Sequence, residues 1–284
     1  MGVRTVFYDD LRNTSRSAIV VGVIGLLAAF VALIVFAVAE FHTDAFRALF
    51  DVSFFVFLVF PLALAPLTYL AIAGDIERGS IKYALGLPNT RAAYLSGKVL
   101  ARSVVGILAV LVATVVATLL GAVLYDGMPA VERFVAFGAV TAVFVVSLTT
   151  IFVAASALAR TRSRAMFGVI ALYFALGPFW FGLLPVANLE AVLELLTNAV
   201  GTSLSERTYS HIRFSSPTTA YLSALEIVYD GVIETGEYPR ITRTYTQGTG
   251  ELYAKTWYNI ATMVVWAGVA LLLSYARFRR AELA

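Results

Sequence analysis

Gly97 and Lys98 are the residues that come nearest to a phosphate-binding loop. In such a loop a first glycine stands five residues before the second, and a Ser or Thr follows the lysine. Here Ala92 occupies the first glycine position and Val99 the Ser/Thr position. The sequence therefore predicts no nucleotide-hydrolysing site in this chain, and any energy-driven work must draw on another protein.

The chain has few of the residues that bind metals or act as nucleophiles. The chain contains no cysteine and only two histidines, His42 and His211. Thiolate zinc sites, iron–sulfur clusters and disulfides are excluded, and a histidine-built metal site is not expected. No basic cluster is interleaved with aromatics, so nucleic acid is not an expected partner. We expect no catalytic residue, no metal and no cofactor in this chain.

The composition demands a lipid environment. The chain is 60% hydrophobic and 14% charged, with a mean hydropathy of +0.84, which is too apolar for a soluble surface. A helix needs roughly 20 apolar residues to cross a bilayer. Six uncharged stretches reach that length: Ser17–Ala39, Val52–Gly74, Ser103–Tyr125, Phe134–Ala159, Ala165–Leu189 and Thr256–Ala276. The first is longer than the roughly 7–15 apolar residues of a cleaved signal peptide.

Basic residues predict the orientation of these spans. If the N-terminus is cytoplasmic, 14 of the 21 Lys and Arg residues fall on the inner side and 7 on the outer side. Positive residues concentrate in cytoplasmic loops. We therefore expect a multi-pass protein of the cell membrane with both termini in the cytoplasm.

The spans themselves carry no Asp, Glu, Lys, Arg or His. Ion-coupled transporters usually place such residues inside the membrane, so their absence disfavours that class, although sodium sites built from carbonyls and hydroxyls stay open. Two spans contain helix-breaking residues, among them Pro61, Pro66, Gly177 and Pro178. These residues indicate either a broken helix lining a pathway or kinks needed for packing.

The segment Gly74–Arg102 between spans two and three is longer than a connector requires. Ile81, Ala84 and Leu85 form one apolar face of a short helix. Gly86 and Pro88 end that helix, and Asn89 or Thr90 can cap a second one that runs into span three. The pattern predicts a helix–turn–helix elbow at the cytoplasmic membrane face. It favours either docking of a soluble partner or an interfacial helix that only contacts lipid headgroups.

A family resemblance enters through this segment. Its motifs are Glu77-Arg78-Gly79-Ser80-Ile81, Leu85-Gly86-Leu87-Pro88 with Arg91, and Gly97-Lys98. They resemble the loop of ABC-2 type permeases, the membrane-spanning subunits of ABC transporters. Six spans with cytoplasmic termini also resemble the topology of that family. In that family the loop forms a coupling helix that docks on a separate ATP-binding subunit.

The resemblance implies a function and a set of coupling residues. The chain is then a permease, and an exporter by implication, paired with a second permease copy or a homologue and driven by a cytoplasmic ATPase that holds the ATP. The expected contacts with the ATPase come from six residues: Glu77, Gly79, Leu85, Leu87, Pro88 and Arg91.

The remaining segments complete a single transmembrane domain over residues 1–284. Residues 1–16 suit an interfacial elbow helix. Residues 190–255 form an extracytoplasmic insertion between spans five and six, longer than is usual in the resembling family. Leu189–Val200 repeats with helical spacing, Ser216-Pro217 opens a second helix that ends at Asp230-Gly231, and Thr235–Gly250 suits a loop or hairpin. We interpret the insertion as a small cap whose acids and tyrosines are solvated, with His211 structural.

The expected fold is thus an all-α polytopic membrane protein with six transmembrane helices, cytoplasmic termini, a cytoplasmic coupling-helix loop and a larger extracytoplasmic insertion. Two other functions remain open. One is a non-transporting scaffold that anchors a soluble partner in the bilayer, and the other is an ion-coupled carrier.

Overall fold

The computed structural model describes residues 2–41, 45–86, 89–125, 131–230, 232–235, 241, 244–245 and 251–280, and for residues 45–46, 85 and 234–235 it describes the backbone alone. Within those ranges the regular structure is helical throughout, which confirms the predicted all-α class. The α-helices are α1 Val3–Ser15, α2 Ala18–Ala39, α3 Ala45–Leu58, α4 Phe60–Thr68, α5 Ala73–Glu77, α6 Ser80–Gly86, α7 Arg91–Leu124, α8 Val131–Leu158, α9 Arg162–Phe174, α10 Leu189–Val200, α11 Glu206–Arg213, α12 Pro217–Ala224, α13 Glu226–Tyr229, α14 Val232–Thr235 and α15 Thr256–Arg280. A π-helix covers Ala175–Phe179 and a 3-10 helix covers Leu252–Ala254.

Helices of spanning length occur at five of the six predicted positions. In the described part of the chain, five helical segments are long and apolar enough to cross a membrane: Ala18–Ala39, Arg47–Glu77, Arg91–Leu124, Val131–Leu158 and Thr256–Arg280. The sixth predicted span, Ala165–Leu189, begins as α9 and continues through the π-helix to Phe181. The chain then turns at Gly182, whose φ is +83°, and ends its helical course there.

Side-chain caps fix where several helices begin. The first backbone N–H groups of a helix lack partners inside it, and a Ser, Thr or Asn oxygen can accept from one of them. Thr90 Oγ1 accepts from Ala93 N at 3.1 Å at the start of α7. Ser216 caps α12 in the same way, with Pro217 as its first residue. Both caps confirm the prediction, as does the helix at α10, which ends on Gly201 with φ +72°.

The helices form one bundle with two distinct ends. We call the elbow end the region formed by α1, α5, α6, residues 156–164 and the last turn of α15. We call the opposite end of the bundle the far end; it is formed by α10–α14 and by the ends of the long helices that lie away from the elbow end. At the far end Tyr125 donates to the carbonyl of Val35 at 2.7 Å, and Arg133 donates to that of Val228 at 3.1 Å.

The helix α12 lies inside the bundle and contacts α3, α8 and α15. Tyr221 is fully buried, stacks on Phe144 with ring centroids 4.3 Å apart, and shares a hydrogen bond of 3.1 Å with Thr141. Tyr229 and Tyr245 are buried as well. The interpretation of the insertion as a cap with solvated tyrosines is therefore wrong for these three. Thr141 and Ser53 supply hydrogen-bond partners for the phenols of Tyr221 and Tyr229, so these rings can be buried without losing a hydrogen bond.

The π-helix is held by the residues that open α12. Proline has no N–H, so Pro178 cannot continue the hydrogen bonds of α9. The carbonyl of Leu176, inside the π-helix, accepts from Ser216 Oγ at 2.6 Å and from the Thr218 hydroxyl. These bonds connect the bend at Gly177-Pro178 to the first turn of the buried helix α12.

Candidate functional site

The turn between α5 and α6 depends on Gly79. Its φ is +72°, in the left-handed region that costs other residues energy, and its N–H donates to the carbonyl of Ile76 at 3.1 Å. The glycine of the predicted motif therefore shapes the elbow. It lets α6 fold back over α5 within two residues.

The helix α6 buries one face and exposes the other. Ile81 is buried in a small apolar cluster with Ile72, Leu95 and Phe278. The predicted residues Leu87 and Pro88, and the side chain of Leu85, lie outside the described part of the chain. Tyr83 is 83% exposed, and Lys82 beside it is exposed as well. Sequence reasoning missed Tyr83, although its position two residues after Ile81 places it on the opposite side of the helix.

Glu77 joins the elbow to the start of α9. Its carboxylate accepts from the backbone N–H of Arg162 at 2.6 Å, and it lies 3.5 Å from the Arg162 guanidinium. The two side chains are 41% and 45% exposed, so the pair sits at the surface of the elbow end. Glu77 thus caps a neighbouring helix and keeps part of its carboxylate open to solvent.

Arg91 reaches across to the end of the last helix. Its guanidinium donates to the carbonyls of Phe278 at 2.5 Å and Arg279 at 2.8 Å, and it lies 5.7 Å from the centre of the Phe278 ring. The last carbonyls of a helix have no partner within it, so Arg91 satisfies two of them for α15. Inside the chain the guanidinium binds the end of α15, and the expected contact of Arg91 with an ATPase stays a prediction.

A buried ion network connects α1 to the elbow. Lys98 Nζ lies 2.8 Å from Asp10 Oδ1 and 2.7 Å from Asp75 Oδ2, and Arg102 Nε lies 2.9 Å from Asp10 Oδ2. Arg102 also donates to the carbonyl of Leu67 at 2.9 Å. Sequence reasoning missed this network. Its one signal is that Asp10 follows Val6 by four residues, on the face of α1 that is buried.

Asp75 is the hub of the network on the elbow side. Besides Lys98, it accepts from Tyr94 Oη at 2.5 Å, from Arg78 Nη2 at 2.8 Å and from Ser80 Oγ at 3.2 Å. A carboxylate with this many donors is strongly fixed in place. The elbow is therefore tied to the first turns of α7 by charge as well as by apolar contact.

Gly97 allows α1 to lie directly against α7. A Cβ atom at this position would come within 2.7 Å of Val6 Cβ and 3.1 Å of Phe7 N. Any side chain here would push the helices apart. The Gly97-Lys98 pair is thus a point of close helix contact followed by an ion pair, and not part of a phosphate loop.

Comparison with protein families identifies the family to which this chain belongs. The profile of the family described as ABC-2 family transporter protein matches residues 5–283, which is nearly the whole chain. The chain belongs to the ABC-2 family of transporter proteins. This confirms the resemblance drawn from the elbow motifs and identifies the chain as a membrane component of a transport system. A comparison with curated proteins finds no match.

In this ABC-2 family protein the elbow is also fastened to α8. The chain between α4 and α5 leaves the helical pattern, which frees backbone N–H groups. Ser156 Oγ accepts from Ile72 N at 3.1 Å and Ala73 N at 3.0 Å, and it donates to the carbonyl of Tyr69 at 2.7 Å. One hydroxyl thus satisfies three groups at a buried break in the backbone.

Within the described ranges no three His, Asp or Glu side chains come close enough together to hold a metal ion. Asp75, Glu77, Arg78 and Arg91 bind one another or groups elsewhere in the chain, whereas Lys82 is exposed. At this end the ABC-2 family protein presents a charged elbow bonded to α1, α7, α8, α9 and α15.

Proposed function

We propose that this chain is the membrane-spanning permease subunit of an ABC transporter, and that a separate cytoplasmic ATPase drives it through the elbow. The observation that carries the proposal is the fastening of the elbow to α1 by the Asp10–Lys98–Asp75 network and to α15 by Arg91. A connector between two helices needs none of these bonds. A segment that transmits movement to several spans must be bonded to each of them.

The proposed topology has six spans with both termini in the cytoplasm. Five are the helices of spanning length. The fifth in chain order is α9 with its π-helix, since a helical course from Arg162 to Phe181 covers roughly 30 Å. The excess of Lys and Arg at the elbow end supports placing that end in the cytoplasm. The far end, with residues 190–255, is then extracytoplasmic.

The proposed mechanism is a rigid-body switch powered in trans. Two permease copies, or this chain and a homologue, enclose a pathway, and each elbow rests on one ATPase. ATP binds to the partner ATPase and not to this chain. Closure of the ATPases displaces the elbows, and the ion network and Arg91 carry that displacement into the first, third and last spans. Export is the direction that the family resemblance implies.

The contact surface on the elbow is proposed to combine two groups of residues. The first comprises the residues that the motifs single out: Glu77, Gly79, Leu85, Leu87, Pro88 and Arg91. Structural exposure adds Lys82 and Tyr83. Tyr83 supplies the large, rigid aromatic surface that often anchors an interface.

The absence of cysteine makes a direct test simple, because every introduced cysteine is the only one in the chain. Tyr83→Cys at the elbow end and Phe41→Cys at the far end form a matched pair, since Phe41 is 81% exposed. In intact cells we expect a membrane-impermeant maleimide to label the Phe41 variant alone, and the Tyr83 variant only after permeabilisation. With the ATPase bound, Tyr83→Cys labelling should fall and Phe41→Cys labelling should not change.

Two results would contradict the proposal. One is labelling of Tyr83→Cys from outside intact cells, which would put the elbow on the wrong side. The other is solute flux through proteoliposomes that contain this chain without any ATPase or ATP. Binding of a soluble partner without ATP-dependent flux would instead indicate a scaffold.

A further inference from the structure

The far end contains a cavity of about 220 Å³ between α3, α11, α12 and the segment that follows the π-helix. Its walls include the rings of Phe54, Phe181 and Phe214 and the side chain of Leu222. Arg213 and Ser223 supply polar groups. Several of these side chains, Arg213 and Ser223 among them, are partly exposed, so the cavity can be reached from outside the protein.

Arg213 gives the cavity its charge. Its guanidinium carbon lies 5.6 Å from the centre of the Phe181 ring and 5.8 Å from that of Phe214, so the cation sits between two rings of the cavity wall. Among the described residues that line the cavity, none carries a carboxylate. No ion pair involves Arg213 in the described part of the chain, whereas Arg207 of the same helix pairs with Glu251 at 3.0 Å. Aromatic rings flank the guanidinium, and no acceptor among the described residues bonds to it, which leaves its N–H groups able to donate to a ligand.

One hydroxyl of the cavity wall is engaged within the chain. Thr219 Oγ1 donates to the carbonyls of Arg213 at 2.7 Å and Ser216 at 3.2 Å, and so fixes the corner between α11 and α12. This bond sets the position of the Arg213 backbone relative to the cavity. Ser223 lies one turn further along α12, on the same wall.

The chemistry of the site selects its ligand. A single cation matches a single negative charge, and aromatic walls match an apolar body. The volume lies below the roughly 300–1,000 Å³ of pockets for drug-sized molecules, so the ligand is small or enters only in part. We propose that this cavity binds an amphiphilic monoanion, with its oxyanion on Arg213 and its apolar part against Phe54 and Phe181. As a substrate site for transport this rests on the proposed function, but binding itself does not require the ATPase.

The chain contains its own reporter for such binding. Trp180 Nε1 donates to the carbonyl of Ile212 at 3.0 Å, next to Arg213, and Trp266 Nε1 donates to that of Ser215 at 2.7 Å. Two of the three tryptophans therefore adjoin the site. The third, Trp257, is exposed, and Trp257→Phe removes its background.

The experiment titrates benzoate into the Trp257→Phe protein in phosphatidylcholine nanodiscs, without ATPase, and follows tryptophan fluorescence. We expect a saturable change with benzoate and none with benzamide, its uncharged isostere. Arg213→Gln should weaken benzoate binding by about tenfold or more, as the loss of a charge-assisted hydrogen bond implies. Arg207→Gln, the matched control in the same helix, should leave it within about twofold. Ser223→Leu fills the cavity without removing the charge and should abolish the titration.

A second arm distinguishes the sources of the anion. If phosphatidylglycerol in the nanodisc suppresses the benzoate titration, a lipid headgroup is the ligand; if it does not, the ligand is a soluble organic anion, and either result supports the site. Equal responses to benzoate and benzamide would overturn the proposal. So would a titration that persists unchanged in both Arg213→Gln and Ser223→Leu. A chain that binds benzoate yet fails the cysteine-labelling test would refute the permease proposal and leave this site standing.

Discussion

Asp10 and Lys98 stand 88 positions apart in the sequence, and Lys98 Nζ lies 2.8 Å from Asp10 Oδ1. The two side chains are only 5% and 12% exposed. Removing such charges from water is unfavourable, and it is offset here because Arg102 and Asp75 complete the network. The pair is the point at which α1 is bonded to the first turns of α7. The behaviour of the whole elbow end therefore depends on it.

Replacing Asp10 should loosen α1 from the elbow. Asp10→Asn removes the negative charge that Lys98 and Arg102 share, and breaking a buried ion pair from one side costs about 3 kcal/mol. Thermal unfolding in detergent should show a clearly lower Tm. Asp9→Asn is the matched control, since Asp9 is the preceding residue on the exposed face of α1. An equal loss in both variants would show that charge in α1, and not the network, sets the stability.

Gly97→Ala should separate two helices. The added methyl would lie 2.7 Å from Val6 Cβ, and such overpacking costs about 1–3 kcal/mol. Gly168→Ala, in α9, meets nothing within 4 Å and should leave stability equal or slightly raised, because alanine favours helix. Denaturation curves of the two variants compare the effects. A neutral Gly97→Ala would contradict the close crossing of α1 and α7.

The role of Glu77 can be divided between its contact inside the chain and its proposed contact with the ATPase. Glu77 and Arg162 are each more than a third exposed, so Glu77→Arg should change the free energy of unfolding by less than about 1 kcal/mol. ATP-driven flux in proteoliposomes should nevertheless fall strongly. Adding Arg162→Glu restores the pair in reverse. If flux also returns, Glu77 acts only within the chain, and the proposed ATPase contact is wrong.

Gly79→Ala tests whether the elbow needs its left-handed turn. Alanine at φ +72° is disfavoured by about 1 kcal/mol, so the turn between α5 and α6 should open. Gly86→Ala, at the end of α6, adds a methyl that meets nothing within 4 Å. Pull-down of the ATPase should weaken for the first variant and stay unchanged for the second. Equal retention by both would show that the fold of the elbow does not govern docking.

The π-helix should depend on the hydroxyls that open α12. Ser216→Ala with Thr218→Val leaves the carbonyl of Leu176 without either side-chain donor, and a buried unsatisfied acceptor costs about 1–3 kcal/mol. The Tm should fall accordingly. Ser203→Ala, at an exposed position before α11, should not change it. An unchanged Tm in the double variant would show that the bend is stable by itself.

Local signals predict those parts of the fold that local physics determines. Thr90 and Ser216 were identifiable as caps because a hydroxyl before an apolar helical pattern has one typical use. Five long helices follow from apolar length alone. The end of the helix in Ala165–Leu189 is harder to predict, because Gly177 and Pro178 interrupt the α pattern and the residues that hold the bend, Ser216 and Thr218, are distant in the sequence.

Contacts between distant residues explain what sequence reasoning missed. Asp10 resembles any surface charge until Lys98 and Arg102 are brought to it by the fold. Tyr221 resembles a solvated residue of a surface helix because nothing near it in the chain indicates that Thr141 and Phe144 will contact it. Within the candidate site, Glu77, Gly79 and Arg91 could be singled out by motif. The bonds that occupy Glu77 and Arg91 inside the chain could not.

Arg91 is the first residue of α7 and binds the last carbonyls of α15, so one side chain joins the start of the first helix to the end of the second. Glu77 ties the first turn of α9 to the same corner. Under the proposed mechanism, a displacement of α6 therefore moves the neighbouring helices together and cannot tilt one of them alone. The helices around the inner mouth of the pathway would then move as one unit when it opens and closes.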